Sequence, residues 1–374
     1  MKISKKDALS WYEFFAGLED GESLPPRQSE IALAVLYQIE MGAEARIDAL
    51  RAQVPGLKSL RGRTEYVGPD DKFPQGCRSC LLGTGLGAVR KTNRCNLQCP
   101  FCYDYGEMED QPPVGEGMWE IGGTKFYERD LELLLSVDKK PTGLAYVYLE
   151  PFMEIGEYYG VIRKFHGAGI YQHMYTNGTL ATEENLRALG EAGLNELRFN
   201  LGASGVSDRV IRAMAMAKKY IPAVGVETPM TPEFFEAFQQ KKDAVLNTGL
   251  DFINCAELHL NPNNIENYWG EPMYMYRQGY LSPVWSRELT LKLMRQAAIE
   301  GWPIAVHDCA NRTKFARDLN LKAREGGWFG ASGYGNEFGG IPYAALLPVL
   351  RDPDFQFVSE EPLPAGYRIE DGVL

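Results

Sequence analysis

The chain of 374 residues has no long apolar run and comparatively little basic charge. No apolar stretch reaches the roughly 20 residues that a membrane-spanning helix needs, and the polar first residues lack the apolar core of a signal peptide. Its 39 Lys and Arg are outnumbered by 50 Asp and Glu, which gives a net charge of −11. Nucleic-acid binding requires clustered positive charge, so it is disfavoured. We expect a cytoplasmic protein with neither a membrane nor a nucleic-acid partner.

Cysteine is scarce, and its distribution argues against a disulfide framework. There are only seven cysteines, an odd number, and five of them fall between Cys77 and Cys102. Clustering of this kind is typical of a metal site in a reducing compartment.

The apolar pattern changes once along the chain. Residues up to about 62 have helical spacing, and we expect a helical N-terminal segment, 1–83, that ends with the pair Cys77 and Cys80. From 84 to 310, β-rich runs alternate with amphipathic helices, which predicts parallel strands joined by crossover helices. The predicted strands are Leu86–Lys91, Leu144–Leu149, Tyr171–Thr176, Glu196–Leu201, Ala223–Thr228, Phe252–Leu258 and Ile304–His307. This pattern favours an α/β fold, a partial (β/α)6 TIM-like barrel, followed by a C-terminal extension, 311–374.

Cys95, Cys99 and Cys102 directly follow the first predicted strand. In barrels of this type, functional groups lie at the carboxyl ends of the strands. Three thiolates would leave one iron of a cubane iron-sulfur cluster without a protein ligand, and an open metal position is typical of catalysis.

Two other interpretations of the cysteines remain open at this point. Cys77-x2-Cys80 and Cys99-x2-Cys102 have the spacing of a four-cysteine zinc ribbon, which leaves Cys95 unexplained. A ferredoxin-like electron carrier would take its fourth ligand from Cys77 or Cys80. Both alternatives describe a module without catalysis, and the barrel pattern downstream favours neither.

The spacing Cys95-x3-Cys99-x-Phe101-Cys102 resembles the cluster loop of the radical SAM superfamily. The resemblance implies a [4Fe-4S] cluster held by the three cysteines, with S-adenosylmethionine (SAM) on the fourth iron and Phe101 near its adenine. It further implies reductive cleavage of SAM to a 5′-deoxyadenosyl radical that abstracts hydrogen from a substrate. An oxygen-sensitive cluster of this kind needs a low-potential electron donor such as flavodoxin or ferredoxin.

Two further strand ends are similar to motifs of that superfamily. Glu150-Pro151 resembles the end of a Gly-Gly-Glu-Pro motif, although Tyr148 and Leu149 replace the two glycines. The segment around Asn177 resembles a Thr-Asn-Gly motif, and Asn-Gly is also a common turn signal. The resemblance makes Glu150 and Asn177 candidate SAM-binding residues.

The fourth and fifth strands supply the other cofactor candidates. Arg198 and Asn200 alternate with apolar residues and therefore share one strand face. Glu227 ends the next strand. The resemblance implies that SAM is contacted from the inner face of the barrel, which makes these three side chains candidate SAM-binding residues. The alternatives are a solvated sheet face for the first two, and a contact with substrate or a helix cap for Glu227.

The sixth strand supplies the substrate candidates. Glu257 and His259 lie on the same strand face near the predicted barrel mouth, where His could move a proton and Glu could bind an amine. Tyr268–Trp285 is expected to be a long aromatic loop that forms a lid or packs on the barrel. The C-terminal extension has no cysteine, whereas peptide-modifying members of the superfamily carry a cysteine-rich extension for auxiliary clusters. The resemblance therefore favours a small-molecule substrate, and a peptide or protein remains the alternative.

Overall fold

The repeating strand and helix pattern of the sequence is present in the computed structural model of the protein. The residues that the structure describes are 45–60, 64–82, 88–102, 114–121, 124–131, 142–260, 264–268, 271, 273–276, 280–311, 337–338 and 341–342. Most of the expected helical N-terminal segment and of the C-terminal extension lies outside these residues.

The described strands, numbered in chain order, are β1 (Lys58–Leu60), β2 (Thr64–Val67), β3 (Ala88–Arg90), β4 (Met118–Ile121), β5 (Thr124–Tyr127), β6 (Gly143–Tyr146), β7 (Tyr171–Thr176), β8 (Glu196–Phe199), β9 (Ala223–Pro229), β10 (Phe252–Ala256), β11 (Met273–Tyr276), β12 (Tyr280–Pro283), β13 (Ala305–Cys309), β14 (Glu337–Phe338) and β15 (Ile341–Pro342). The described α-helices are α1 (45–51), α2 (Gln75–Leu82), α3 (Ile155–Gly167), α4 (Glu183–Ala192), α5 (Asp208–Ala217), α6 (Pro232–Leu246) and α7 (Val284–Glu300).

The central sheet has parallel strands in the same order as the chain. Its eleven strands are ordered β1-β2-β13-β10-β9-β8-β7-β6-β3-β4-β5. Every neighbouring pair from β3 through β6 to β10 and β13 is parallel. Antiparallel strands flank both ends of this run. The α/β prediction is confirmed, and among the described strands the sheet is open, as expected for a partial barrel.

The helix starts follow from ordinary capping chemistry. Thr182, Ser207 and Thr231 each accept a hydrogen bond through the side chain from the backbone N–H three residues later. These bonds satisfy amide groups that have no partner inside the helix. Helix α4 ends at Gly193, whose φ of 94° is left-handed. Each of these three residues therefore marks the start of a helix, α4, α5 or α6.

Helix α2 carries Cys77 and Cys80 and packs near the amino ends of the parallel strands. Its Ser79 side chain lies beside Gly143 at the start of β6, and a Cβ on Gly76 would approach Arg198 of β8. Cys77 is buried and Cys80 is exposed. The upstream cysteine pair therefore lies at the amino ends of the strands, whereas the loop with Cys95 to Cys102 follows the carboxyl end of β3.

Three parts of the fold differ from the sequence prediction. The segment expected to be helical up to about 62 contains β1, and β2 extends the sheet through antiparallel pairing with β13. The first crossover contains the hairpin β4–β5. The expected aromatic loop contains a second hairpin, β11–β12, and helix α7 starts at Val284. Within the described residues, no helix combines the length and apolarity needed to cross a membrane.

Candidate active site

A cavity of about 490 Å³ lies at the carboxyl ends of the parallel strands. Residues from the loop after β3 and from the ends of β6, β7, β8, β9, β10 and β13 line it. The lining consists of Cys95, Leu97, Cys99, Phe101, Cys102, Val147, Tyr148, Leu149, Glu150, Tyr175, Thr176, Asn177, Asn200, Ala203, Glu227, Thr228, Pro229, Ala256, Glu257, Leu258, His259 and Asn311. Ten of the eleven site residues predicted from the sequence share this cavity, and Arg198 does not line it.

The loop that carries the cysteines is held by backbone hydrogen bonds and by two asparagines from across the cavity. The N–H of Cys102 donates to the carbonyl of Cys99 at 3.0 Å. The Asn267 side chain donates to the carbonyl of Pro100 at 2.9 Å, and Asn264 donates to that of Phe101 at 3.4 Å. The segment after β10 therefore fixes the loop after β3, although these two strands are not neighbours in the sheet.

Cys95 and Cys99 are poor anions in the absence of a cation. Burial, together with the neighbouring Cys102 and Cys95, raises the pKa of Cys99 to about 12. Burial also raises the pKa of Cys95. Metal binding must displace these protons, so a positively charged iron centre fits this donor set.

The cysteine geometry gives no support to a single zinc ion. No group of three or more His, Cys, Asp or Glu among the described residues is arranged to hold one metal ion. Cys77 and Cys80 also lie outside the cavity lining. In a cubane, each cysteine binds a different iron, so the sulfurs do not have to converge on one point.

Glu150 is fully buried and its carboxylate is bound by protein donors. It accepts hydrogen bonds from the Thr176 hydroxyl at 2.7 Å and from the backbone N–H groups of Asn177 at 2.6 Å and Phe152 at 3.1 Å. Burial raises the pKa of Glu150 to about 7, against the effect of these donors. The side chain thus connects the end of β6 to the end of β7.

Asn177 links the cysteine loop to the turn after β7. Its side-chain N–H groups donate to Asn96 at 2.9 Å and lie 4.0 Å from the Cys95 sulfur. Its side-chain oxygen accepts from the hydroxyl of Thr179 at 2.6 Å. Asn177 is therefore positioned to orient Cys95 as well as to face a ligand.

Arg198 lies beneath the cavity in a buried polar network. Its guanidinium pairs with Glu196 on its own strand and with Glu227 on β9, and it donates to the Tyr175 hydroxyl at 3.0 Å. Only 1% of Arg198 is exposed. The expected contact with SAM is not supported, because two carboxylates already bind the guanidinium; Arg198 instead positions Glu227 and Tyr175, which line the cavity.

The substrate candidates lie on the β10 side of the cavity. Glu257 is 2% exposed and accepts from the backbone N–H of Asn311 at 2.7 Å. The carbonyl of His259 accepts from Asn264 at 3.0 Å. Asn311 is fully buried, and its side-chain oxygen has no hydrogen-bond partner among the described residues. This part of the wall therefore offers a carboxylate and an amide oxygen.

The sequence analysis did not identify several lining residues. Tyr148 and Leu149 were noticed only as replacements for glycine, and Thr228 stands next to the predicted Glu227. Asn311 follows β13, and extending the strand-end rule to the seventh strand would have found it. Tyr175 stands two residues before the predicted Asn177 at the end of β7, so the strand-end rule could have found it.

The fold and the cavity define an α/β protein whose ligand site lies at the carboxyl edge of a parallel sheet, where such folds carry their active sites. Residues 89–227 match the family model of the Radical SAM superfamily. This part of the chain is thus similar to a radical SAM domain. Members of this superfamily use a [4Fe-4S] cluster and SAM.

Two relatives and one solved structure are similar to part of the chain. The "Putative glycyl-radical enzyme activating enzyme" of Methanocaldococcus jannaschii is 26% identical over 203 residues, which are 52% of this chain and 52% of the relative. The tungsten-containing aldehyde ferredoxin oxidoreductase cofactor-modifying protein of Pyrococcus furiosus is 25% identical over 201 residues, which are 47% of this chain and 52% of the relative. The structure of native anSMEcpe with bound AdoMet has a TM-score of 0.34 and 15% identity, covering 45% of this chain and 49% of that one. The chain thus spans about half the length of these curated relatives.

Proposed function

We propose that Cys95, Cys99 and Cys102 hold a [4Fe-4S] cluster and that the same cavity binds SAM and a small-molecule substrate. When bound, the cluster and SAM supply reductive cleavage of the sulfonium and a radical that removes hydrogen from the substrate. The observation that carries the proposal is that three closely spaced thiols and the polar wall of Glu257 and Asn311 line one cavity.

The lining residues define a SAM side of the cavity, at the cysteine loop, and a substrate side, at β10. Phe101, Glu150 and Asn177 lie on or beside the cysteine loop and would form the SAM side. Asn200 and Glu227 lie further along the sheet, on β8 and β9, between that side and β10. Glu227 is the candidate to accept hydrogen bonds from SAM, since Arg198 holds its carboxylate in place.

The part of the cavity wall formed by Glu257 and Asn311 favours a substrate that donates hydrogen bonds. Glu257 and the side-chain oxygen of Asn311 are both acceptors, and the Asn311 oxygen has no partner among the described residues. A buried acceptor without a partner is costly unless a ligand supplies a donor. An amine or hydroxyl group on the substrate would fill this role, and His259 is the candidate to move a proton. The cavity size lies within the range of small-molecule sites, roughly 300–1,000 Å³.

Modification of a protein or peptide is the second candidate function. It is favoured by the name of the Methanocaldococcus jannaschii relative, which describes an enzyme that activates another enzyme. A low-potential donor such as flavodoxin or ferredoxin would supply the electron in either case.

Anaerobic reconstitution with iron and sulfide tests the proposal. The wild-type enzyme should contain four irons per chain and release 5′-deoxyadenosine when dithionite and SAM are added. Replacement of Cys95, Cys99 or Cys102 by Ala should lower iron content and abolish 5′-deoxyadenosine, whereas the exposed Cys80→Ala serves as the matched control and should change neither. Unchanged iron in Cys95→Ala, or loss of metal in Cys80→Ala, would contradict the assignment.

A further inference from the structure

Two consecutive residues just after β6, neither of them glycine, have a backbone conformation that is usually adopted by glycine. Tyr148 has a φ of 71° and Leu149 a φ of 52°. Among the described residues, the only other non-glycine residue with positive φ is Val206, at 55°. For a bulky residue this left-handed region is strained, because its Cβ lies too close to the following carbonyl.

The surrounding contacts hold this strained pair in place. Before it, the N–H of Val147 donates to the carbonyl of Val89 at 3.3 Å. After it, the N–H of Glu150 donates to the carbonyl of Arg94 at 3.1 Å, and the buried Glu150 carboxylate accepts the three hydrogen bonds described above. Strain of this type persists only where neighbouring structure enforces it, and it concentrates at functional sites.

Glycine would adopt the same backbone conformation without strain. The backbone conformation alone therefore does not explain why Tyr and Leu occupy these two positions. What Tyr148 and Leu149 add is their side chains, and both line the cavity, half-buried, next to the cysteine loop. A glycine pair would leave this part of the wall empty.

We propose that Tyr148 and Leu149 form a wall that positions SAM beside the cysteines, and that the chain tolerates backbone strain to keep it. The inference rests on the proposed function. Tyr148 and Leu149 present apolar surface where SAM would approach the cysteine loop. Contact there would restrict the carbon chain around the sulfonium and exclude water from it.

The experiment compares glycine and alanine at the same position, because both remove the side chain and only glycine relieves the strain. In urea unfolding without the cluster, Tyr148→Gly should have an unfolding equilibrium constant about 2- to 5-fold smaller than Tyr148→Ala. Leu149→Gly and Leu149→Ala should show the same order. SAM binding to the reconstituted, unreduced enzyme, measured by equilibrium dialysis with labelled SAM, should weaken about tenfold in both Tyr148 variants.

Val206 provides the matched control, because it has the same backbone conformation and does not line the cavity. Val206→Gly should also be more stable than Val206→Ala, and both should bind SAM as the wild type does. If Tyr148 had only a structural role, stability and SAM affinity would change together. If its side chain positions SAM, Tyr148→Gly should be more stable than Tyr148→Ala and should bind SAM as weakly.

Three outcomes would overturn the inference. If Tyr148→Gly and Tyr148→Ala bind SAM with wild-type affinity, the side chain of Tyr148 does not position SAM, and the proposed function is unaffected. Equal stability of the Gly and Ala variants removes the strain argument. Failure of the wild-type enzyme, with its four irons in place, to bind SAM removes the proposed function itself.

Discussion

Arg198 shows what strand alternation can and cannot predict for a single residue. Strand alternation predicts that Arg198 and Asn200 share one strand face, but β8 ends at Phe199, between these two residues. Position along the chain decides which of the two lines the cavity. Asn200 reaches the cavity, whereas Arg198 is paired with two carboxylates beneath it. The sequence around β8 contains no sign that Glu227, 29 residues later, reaches back to Arg198.

We expect Arg198→Met to lower the free energy of unfolding by about 3–5 kcal/mol, because it leaves buried carboxylates without their cation. Urea unfolding measures this change. Adding Glu196→Gln to Arg198→Met should recover part of the loss, since one uncompensated charge is then removed. A change within about 0.5 kcal/mol of the wild type would mean that the network is not formed as described.

Among the structural elements, the parallel strands could be predicted because they are short buried runs bounded by turn or cap residues, mostly apolar, with alternating apolar and polar residues in β8. Predicted Tyr171–Thr176 has the same limits as β7. The hairpin β4–β5 and strands β1 and β2 could not, because three or four residues carry too little periodicity and depend on pairing partners distant in sequence. The sequence of β11, Met-Tyr-Met-Tyr, contains no charged or strongly polar residue, so it has no apolar and polar alternation that would predict a strand.

Helix α2 depends on a close approach at Gly76. A Cβ at this position would lie 2.6 Å from the side-chain nitrogens of Arg198 and His173. Gly76→Ala should therefore lower the free energy of unfolding by about 1–3 kcal/mol, measured in urea. Gly156→Ala in α3 is the control, because nothing lies within 4 Å of its added Cβ and it should raise stability by up to about 1 kcal/mol. Equal effects of the two changes would contradict the packing of α2.

Asp251 fixes the amino end of β10. Burial opposes its ionisation, but hydrogen bonds from Lys218, Lys72 and the N–H of Val224 hold the pKa of Asp251 below its usual value. A carboxyl whose pKa is depressed by folding stabilises the protein above the unfolded pKa of about 4, and this contribution is lost as the pH falls further.

Asp251→Asn should accordingly lower the free energy of unfolding at pH 7 by about 2 kcal/mol and reduce its dependence on pH below about 4. Urea unfolding from pH 3 to 7 measures both effects. Identical acid slopes for variant and wild type would show that Asp251 does not titrate with folding.

At the scale of the whole molecule, the site is assembled from chain segments between Cys95 and Asn311. The strand-end rule predicted this convergence because all seven strands run in the same direction. The contacts of Asn264 and Asn267 with the cysteine loop could not be predicted, since they connect segments whose strands are not adjacent. The backbone strain at Tyr148 and Leu149 could not be predicted either, because the sequence shows only that these positions are not glycine.

The central claim is that SAM binds directly beside a cluster held by Cys95, Cys99 and Cys102. Pulsed electron paramagnetic resonance of the reduced, reconstituted enzyme with SAM labelled by ¹⁵N in its amino group and ¹⁷O in its carboxylate tests this claim most directly. Both labels should show magnetic coupling to the cluster. A full cluster with bound SAM and no coupling from either label would contradict it.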